Sequence, residues 1–263
     1  MNPFNPTIIR VQARLEKIGV GDMEKDYVLS VVLTEISKWR EAKRLVFKGG
    51  TSLKKIHFPK YRFSSDLDFT AIANVKTELK KRLESDFENT SVEGIKFVKL
   101  QDITEKDKNT LRIQMQYESG IGVFQGKPHV DSIILDFNFD AKVYAKIIQG
   151  KVNLPGEYGL APEPILTMNL EEILAEKVDA IYSRRKPRDV YDLWYLLKNG
   201  TRFDIQLVGK KLEEKGRKFE LQTLMVRLEK LKPFWQKDMM GLLEKIPDYE
   251  EITKELLQEI EKL

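Results

Sequence analysis

The sequence contains no cysteine and only two histidines among its 263 residues. The lack of cysteine excludes disulfide bridges, thiolate zinc sites and a cysteine nucleophile, and it fits a reducing compartment. His57 and His129 are too few and too scattered to form a metal site. No uninterrupted apolar run approaches the roughly 18 residues of a membrane-spanning helix, and "MNPFNPTIIR" lacks the layout of a secretory signal. We therefore expect a cytoplasmic protein without a membrane partner.

The sequence also lacks a large excess of charge of one sign. Charged residues make up 33% of the chain, but 45 Lys and Arg against 41 Asp and Glu leave a net charge of only +4. This balance excludes a protein that is basic throughout, so any nucleic acid must bind a local patch. The P-loop pattern and the dinucleotide-binding fingerprint are absent as well.

The length of the chain allows two domains, and its patterns change along the sequence. Strand and helix patterns alternate up to about residue 140, whereas helical periodicity dominates after the Pro- and Gly-rich stretch at 154–164. We expect an α+β domain at 1–155 that begins with two helices, and a C-terminal α-helical bundle at 163–263. The predicted helices lie at 6–17, 23–39, 51–56, 76–90, 170–184, 188–198, 204–230 with a break near Gly216, 233–245 and 248–262. The predicted strands lie at 44–47, 66–72, 94–104, 110–118 and 131–140, with a turn at 120–128.

The first candidate for chemistry is the acidic pair in "SSDLDF". Asp66 and Asp68 are two residues apart on a predicted strand, so both carboxylates project from the same face and can hold divalent ions such as Mg²⁺ or Mn²⁺. Leu67 and Phe69 should point into a core, and Ser65 stands where it can hydrogen-bond a phosphate. The alternative is an ordinary charged strand that faces solvent.

The second candidate is the glycine pair in "FKGGTSL". Gly49 and Gly50 lie between a strand and a helix start, where backbone N–H groups can approach a phosphate and the helix N-terminus favours negative charge. Thr51 or Ser52 can cap the helix or touch the phosphate, and Lys48 adds positive charge. The alternative is an ordinary tight turn.

A third carboxylate is expected on a neighbouring strand if two metal ions are to be fixed. Asp136 in "IILDFNF" is the candidate, because an isolated acid within an apolar strand is costly unless it is paired or metal-bound. The alternative is a buried structural ion pair.

The helical part carries a further set of charged residues. Lys177 lies among apolar positions of one predicted helix, and Asp189 and Asp192 share a side of the next helix. These side chains can reach and orient a triphosphate. The alternative is a helix N-terminus that is stabilised by acidic residues.

Taken together, "FKGGTSLKKI", "YRFSSDLDF", "IILDFNF" and "AEKVDAIYSRRKPRDVYDLWYL" resemble the AbiEii and MenT group of nucleotidyltransferase toxins. This group is part of the DNA polymerase β-like nucleotidyltransferase superfamily, and the resemblance runs in order over residues 46–197. It implies a mixed sheet with flanking helices followed by the helical bundle.

The resemblance also implies roles for the candidate residues. Gly49 and Gly50, with Lys48, Thr51, Ser52 and Ser65, would hold an NTP. The metal ligands would be Asp66, Asp68 and Asp136, Lys177 would contact the phosphates, and Asp189 or Asp192 would complete the catalytic set. The expected reaction transfers NMP to an RNA acceptor, a tRNA 3' end in particular, by a toxin that has a cognate antitoxin or acts in phage defence (abortive infection). Basic stretches at 80–82, 184–188 and 210–218 can contact RNA phosphates, although each alone fits a solvated helix face.

Two other functions stay open at this point. The same site can transfer a nucleotidyl or phosphoryl group to a protein hydroxyl or to tRNA. A non-catalytic nucleotide-binding or protein-interaction module, in which the acids are structural, belongs to a different class.

Overall fold

The structure is a computed structural model that describes residues 4–104, 109–124 and 127–262. The chain forms two compact units, one of residues 1–142 and 147–167 and one of residues 143–146 and 168–263. Among the described residues, no helix has the length and apolar character that crossing a lipid bilayer requires.

The first unit is built on one mixed sheet, as expected for an α+β fold. Among the described residues its strands are β1 (Leu45–Lys48), β2 (Asp66–Ala71), β3 (Ser91–Val92), β4 (Ile95–Asp102), β5 (Thr110–Phe124), β6 (Lys127–Asn138), β7 (Ile148–Gly150) and β8 (Ile165–Thr167). Their order across the sheet is β3-β4-β5-β6-β2-β1-β8-β7. Strand β2 is central, because it pairs antiparallel with β1 and parallel with β6.

The helices of the first unit are α1 (Pro6–Glu16), α2 (Val20–Lys38), α3 (Gly49–Ser52) and α4 (Lys76–Phe87), and α3 continues as a π-helical turn at Leu53–His57. Helix α2 is buried nearly all round, and Val28, Leu29 and Val32 are fully buried in the core. The sheet packs one face into that core and presents its polar residues on the other, as antiparallel strands commonly do.

The second unit is helical. Its helices in the described residues are α5 (Leu170–Ser183), α6 (Arg188–Lys198), α7 (Ile205–Glu213), α8 (Leu221–Leu231), α9 (Trp235–Met239) and α10 (Tyr249–Ile260). Glu172 on α5 is fully buried and ties the separate segment 143–146 to this unit. Its carboxylate accepts hydrogen bonds from the backbone N–H groups of Tyr144 and Ala145 and binds Lys211 at 2.7 Å.

Several sequence predictions of elements need correction. The helix predicted at 233–245 is limited to α9 and a 3-10 turn before it at Lys232–Phe234, because Met240 has already left the helical region, with a ψ of 132°, and Gly241 follows with a positive φ of 77°. The break near Gly216 is wider than one residue, since α7 ends at Glu213 and α8 begins at Leu221. Strands β3, β7 and β8 were not predicted. The turn predicted at 120–128 is mostly strand, and residues 125–126 within it lie outside the described residues.

Candidate active site

Strands β2 and β6 bring the three predicted carboxylates to the same face of the sheet. Asp68 is paired in register with Asp136, and Asp66 is paired with Ile134. Residues paired in register on neighbouring strands share a face, and so do residues two apart on one strand. Leu67 and Phe69, which alternate with the acids, are buried as predicted.

Asp68 and Asp136 are flanked by cations on both sides. Lys48 on β1 is in register with Asp68, and Arg112 on β5 is in register with Asp136. A row of side chains with charges +, −, − and + therefore crosses four adjacent strands. Arg112 Nε lies 3.7 Å from Asp136 Oδ2, with the two side chains 48% and 33% exposed.

The sequence-based argument that Asp136 is an acid within the core is therefore wrong, although its position beside Asp68 is as predicted. Leu135 and Phe137 on either side of it are fully buried. Because side chains alternate along a strand, the acid between them projects from the opposite, polar face. The alternative of a buried ion pair does not hold either, since both side chains of the Arg112 contact are partly exposed.

The chemistry of this face fits a hard divalent cation. Carboxylate oxygens are the ligands that Mg²⁺ and Mn²⁺ prefer, and like charges placed opposite each other on neighbouring strands repel unless a cation lies between or beside them. Within the described residues, however, no three His, Asp or Glu side chains are already gathered into a metal-binding group. The face therefore carries carboxylates on neighbouring strands that are not yet gathered around a metal position.

Gly49 contacts the face of the sheet that carries Asp66, Asp68 and Asp136, called the acidic face below. Its φ is +76°, a conformation that L side chains rarely adopt, and a Cβ added there would lie 2.3 Å from Asp68 Oδ2. The Asp68 carboxylate therefore rests against the backbone of Gly49. Only glycine satisfies both the dihedral angle and the contact.

Thr51 and Ser52 use their hydroxyls to fix this turn. Thr51 Oγ1 donates to the backbone carbonyl of Asp66. Ser52 Oγ lies 3.1 Å from Thr167 Oγ1, which donates to the carbonyl of Phe47 at 2.8 Å. Lys48 precedes the helix without capping it through its side chain, so the backbone N–H groups of the turn are the groups best suited to meet a phosphate.

Gly50 reveals a residue that the sequence reasoning missed. A Cβ added to Gly50 would lie 2.8 Å from Arg62 Nη2 and 3.3 Å from Ser64 Oγ. Arg62 is only 2% exposed, its Nη1 donates to the carbonyl of Phe63 at 2.9 Å, and its guanidinium lies 5.4 Å from the centre of the Tyr61 ring. A buried positive charge thus packs directly against the glycine turn. Its place in "YRFSSDLDF" was visible in the sequence, but its contact with Gly50 was not.

The two lysines after the turn are structural. Lys55 binds Asp26 at 2.6 Å and Ser30 at 2.9 Å, and it is 2% exposed. Lys54 Nζ donates to the carbonyl of Tyr61 at 3.1 Å and lies 3.8 Å from the centre of the Phe63 ring. Burial lowers the pKa of Lys54 below its ordinary value. Both lysines anchor the π-helical turn instead of facing solvent.

The second unit brings together the three charged residues predicted from its helices. Lys177 Nζ lies 3.1 Å from Asp189 Oδ1 and 2.7 Å from Asp192 Oδ2, and both acids are fully buried. Arg184 adds a bidentate contact to Asp189 at 2.8 and 2.9 Å. Burial by itself raises the pKa of Asp189, but the Lys177 ammonium and the Arg184 guanidinium outweigh it and hold that pKa below 3.8. Lys177 is only 6% exposed, so its predicted place among apolar positions rather than in solvent is confirmed. The part that these three residues play toward a nucleotide stays a prediction.

Comparison with known proteins shows the family of the chain and a similar fold. The family model described as nucleotidyl transferase AbiEii toxin of type IV toxin-antitoxin systems matches residues 31–259. Among solved structures, MenT4, a nucleotidyltransferase toxin from Mycobacterium tuberculosis H37Rv, has a similar fold with a TM-score of 0.66 and 18% sequence identity. The match covers 99% of this chain and 90% of that one. A search of curated proteins finds no match. Since the family model covers most of the chain, this protein belongs to the AbiEii family of nucleotidyltransferase toxins.

Proposed function

We propose that this protein transfers NMP from an NTP to an RNA acceptor, with a tRNA 3' end as the preferred acceptor, and that the reaction requires Mg²⁺ or Mn²⁺. Membership of the family supports nucleotidyl transfer by a toxin and implies an antitoxin. The metal ion and the acceptor are proposals that rest on the site itself and on the resemblance described above.

One observation carries the metal proposal. Asp68 and Asp136 are directly opposite on adjacent parallel strands, with Asp66 on the same face. Lys48 and Arg112 flank the pair from outside and do not separate the two acids along the row. The three carboxylates outnumber the two flanking cations, so the negative charge left over on this face suits a divalent cation.

The residues of the chain then have distinct parts in the reaction. When bound, the metal ions supply charge neutralisation on the triphosphate and acidify the acceptor hydroxyl. Asp66, Asp68 and Asp136 hold them, while the backbone N–H groups of Gly49 and Gly50 orient the triphosphate. Lys48 lies beside Asp68, and the hydroxyl of Ser65 donates to Asp66 Oδ1 at 3.2 Å, so both side chains are assigned to phosphate oxygens.

The transfer itself is an in-line displacement. The acceptor oxygen forms a bond to the α-phosphorus, and the bond from that phosphorus to the bridging oxygen breaks, so that pyrophosphate leaves. The hydroxyl proton passes to a carboxylate of the acidic face or to solvent. Asp136, whose side chain is 33% exposed, is accessible to that proton.

The test is incubation of the purified protein with Mg²⁺, each α-labelled NTP in turn and total tRNA. Asp66→Ala should abolish labelling of tRNA, whereas Asp140→Ala, which removes an exposed acid two residues beyond β6, should leave labelling intact. Label on protein and not on tRNA would reject the RNA acceptor. No label with any NTP, in a protein that still exerts its biological effect after Asp66→Ala, would favour a binding module.

A further inference from the structure

We propose that the helical unit carries an RNA-binding surface made of two loops, and that this surface holds the backbone of the acceptor RNA. The inference extends the proposed function, because it assigns a place to the acceptor. The surface, called the basic patch below, consists of Arg184, Arg185, Lys186, Arg188, Lys215, Arg217 and Lys218. The first three residues follow α5, Arg188 is the first residue of α6, and the other three follow α7.

The two loops lie side by side although about 30 residues separate them in the sequence. Asp179 on α5 forms ion pairs with Lys215 and with Arg217 Nη1, the latter at 3.3 Å. The same Arg217 nitrogen donates to the hydroxyl of Ser183, the last residue of α5. Since Ser183 immediately precedes Arg184, these contacts bring the second loop to the start of the first.

A second pair of contacts fixes the far end of the later loop. The hydroxyl of Tyr182 donates to the carbonyl of Glu220 at 2.8 Å and accepts from the Glu220 N–H at 3.2 Å. The loop at 214–220 is therefore held at both ends against the last turn of α5. The two basic stretches that look like separate solvated faces in the sequence form one surface.

Positive charge on this surface exceeds what its acids neutralise. Asp179 is shared by two cations, and Arg184 shares Asp189 with Lys177. Glu213 and Glu214 are exposed where the later loop begins, and Glu220 accepts from Thr223 at 2.8 Å. In the part of the chain that the structure describes, the exposed side chains of three patch residues have no carboxylate within 4 Å, namely Arg185, Lys186 and Lys218.

The composition of the surface favours a nucleic acid over a protein or a lipid. Large exposed apolar side chains occur elsewhere in the described residues, but none lies at 183–188 or 214–219. Protein interfaces are anchored by apolar and aromatic groups, whereas nucleic-acid interfaces are polar and strongly positive. Four of the seven patch residues are arginines, whose planar forks match phosphate oxygens. Through Arg184 the patch also adjoins Asp189, so bound RNA would lie next to a predicted catalytic residue.

The test measures binding of fluorescent total tRNA to the full-length protein without NTP, over a series of salt concentrations. The patch variant combines Arg185→Glu, Lys186→Glu and Lys218→Glu, which break no ion pair and should leave the melting temperature unchanged. Each lost phosphate contact should reduce the slope of log K against log salt by roughly 0.7 to 0.9. We expect the slope of the patch variant to fall by about two to three, with much weaker binding at low salt.

A matched control separates the patch from overall charge. Arg10→Glu, Lys43→Glu and Lys99→Glu make the same change in net charge at exposed residues of the other unit that, within the described parts of the chain, also have no carboxylate within 4 Å. This control should keep most of the salt slope. If both variants lose tRNA binding equally, or neither loses it, the basic patch is not the RNA-binding surface. Equal affinity for a DNA duplex of matched length would contradict the assignment to RNA.

The experiment also distinguishes this inference from the proposed function. Binding is measured without NTP and therefore without transfer. If tRNA binds through the patch but is not labelled in the transfer assay, only the proposed transfer to tRNA is rejected. Labelling of tRNA that is unaffected by the patch variant, at RNA concentrations below saturation, would reject the patch alone.

Discussion

At the scale of single residues, Gly49 is the position where the glycine turn meets the acidic face. Replacing it with alanine would place a Cβ 2.3 Å from Asp68 Oδ2 and force a side chain into a φ of +76°. We expect Gly49→Ala to displace the Asp68 carboxylate and to cost about 1 to 3 kcal/mol in backbone strain. NTP binding, measured by titration of a fluorescent analogue in the presence of Mn²⁺, should be lost.

Gly21→Ala is the matched control for this variant. Gly21 lies in the first turn of α2, and a Cβ added there would meet only open space, so alanine should leave binding unchanged and stability equal or slightly higher. Unaltered NTP binding by Gly49→Ala would mean that the turn does not hold the nucleotide.

Arg62 gives a second prediction at the same scale. If its buried charge supports the turn that binds the triphosphate, Arg62→Met should weaken NTP binding by about tenfold or more, because hydrogen bonds to charged groups contribute about 1.5 to 3 kcal/mol. Arg62→Lys keeps the charge and should recover part of the affinity. KM for the NTP should rise more than kcat falls. If the Arg62→Met variant folds normally and binds NTP like the wild type, Arg62 does not contribute to NTP binding.

What the sequence could reveal at this scale depended on local spacing. The face shared by Asp66 and Asp68 follows from the two-residue period of a strand, and the glycine pair is recognisable beside it. The position of Arg112 opposite Asp136 requires the register between β5 and β6, which no local pattern encodes. The contact of Arg62 with Gly50 depends likewise on how the loop after the π-helical turn folds back.

At the scale of elements, α5 and α6 are joined by the buried cluster of Lys177, Asp189 and Asp192. The folded pKa of Asp189 lies below its ordinary value of 3.8, so its ionised form stabilises the fold above that pH. This contribution is lost as the pH falls through the lowered pKa, when the carboxylate takes up a proton.

Asp189→Asn should therefore destabilise the protein at neutral pH by about 3 to 5 kcal/mol, the usual cost of breaking a buried ion pair. Below pH 3.8 the difference from the wild type should shrink. Urea unfolding followed by circular dichroism at several pH values checks this. A difference that stays constant on acidification would show that charge at Asp189 does not stabilise the helices.

Most long elements were predictable, whereas the strands of two or three residues were not. Helices α2, α5, α6 and α10 agree closely with their periodic patterns. Strands β7 and β8 contain three residues each, too few to show a period, and they are held by pairing to β1 and to each other. The predicted helix at 233–245 failed because apolar spacing continues past Gly241, where the backbone has already left the helical region.

At the scale of the whole molecule, metal binding should raise the melting temperature of the protein. A ligand that binds only the folded state stabilises by about 2.7 kcal/mol at a hundredfold excess over its Kd, which shifts Tm by roughly 5 °C or more in a chain of this size. We expect Mn²⁺ to raise Tm in the wild type and in Asp140→Asn. The combined variant Asp68→Asn and Asp136→Asn should lose this shift, and an equal shift in all three proteins would place the ion elsewhere.

The central claim is that the protein transfers a nucleotidyl group to RNA, and parallel reactions with α-labelled and γ-labelled NTP test it most directly. Both are run with Mg²⁺ and total tRNA, and the RNA is separated from free nucleotide and pyrophosphate. Nucleotidyl transfer predicts α label on the RNA and γ label only in released pyrophosphate. Label from the γ position on the RNA would contradict the claim and identify phosphoryl transfer instead.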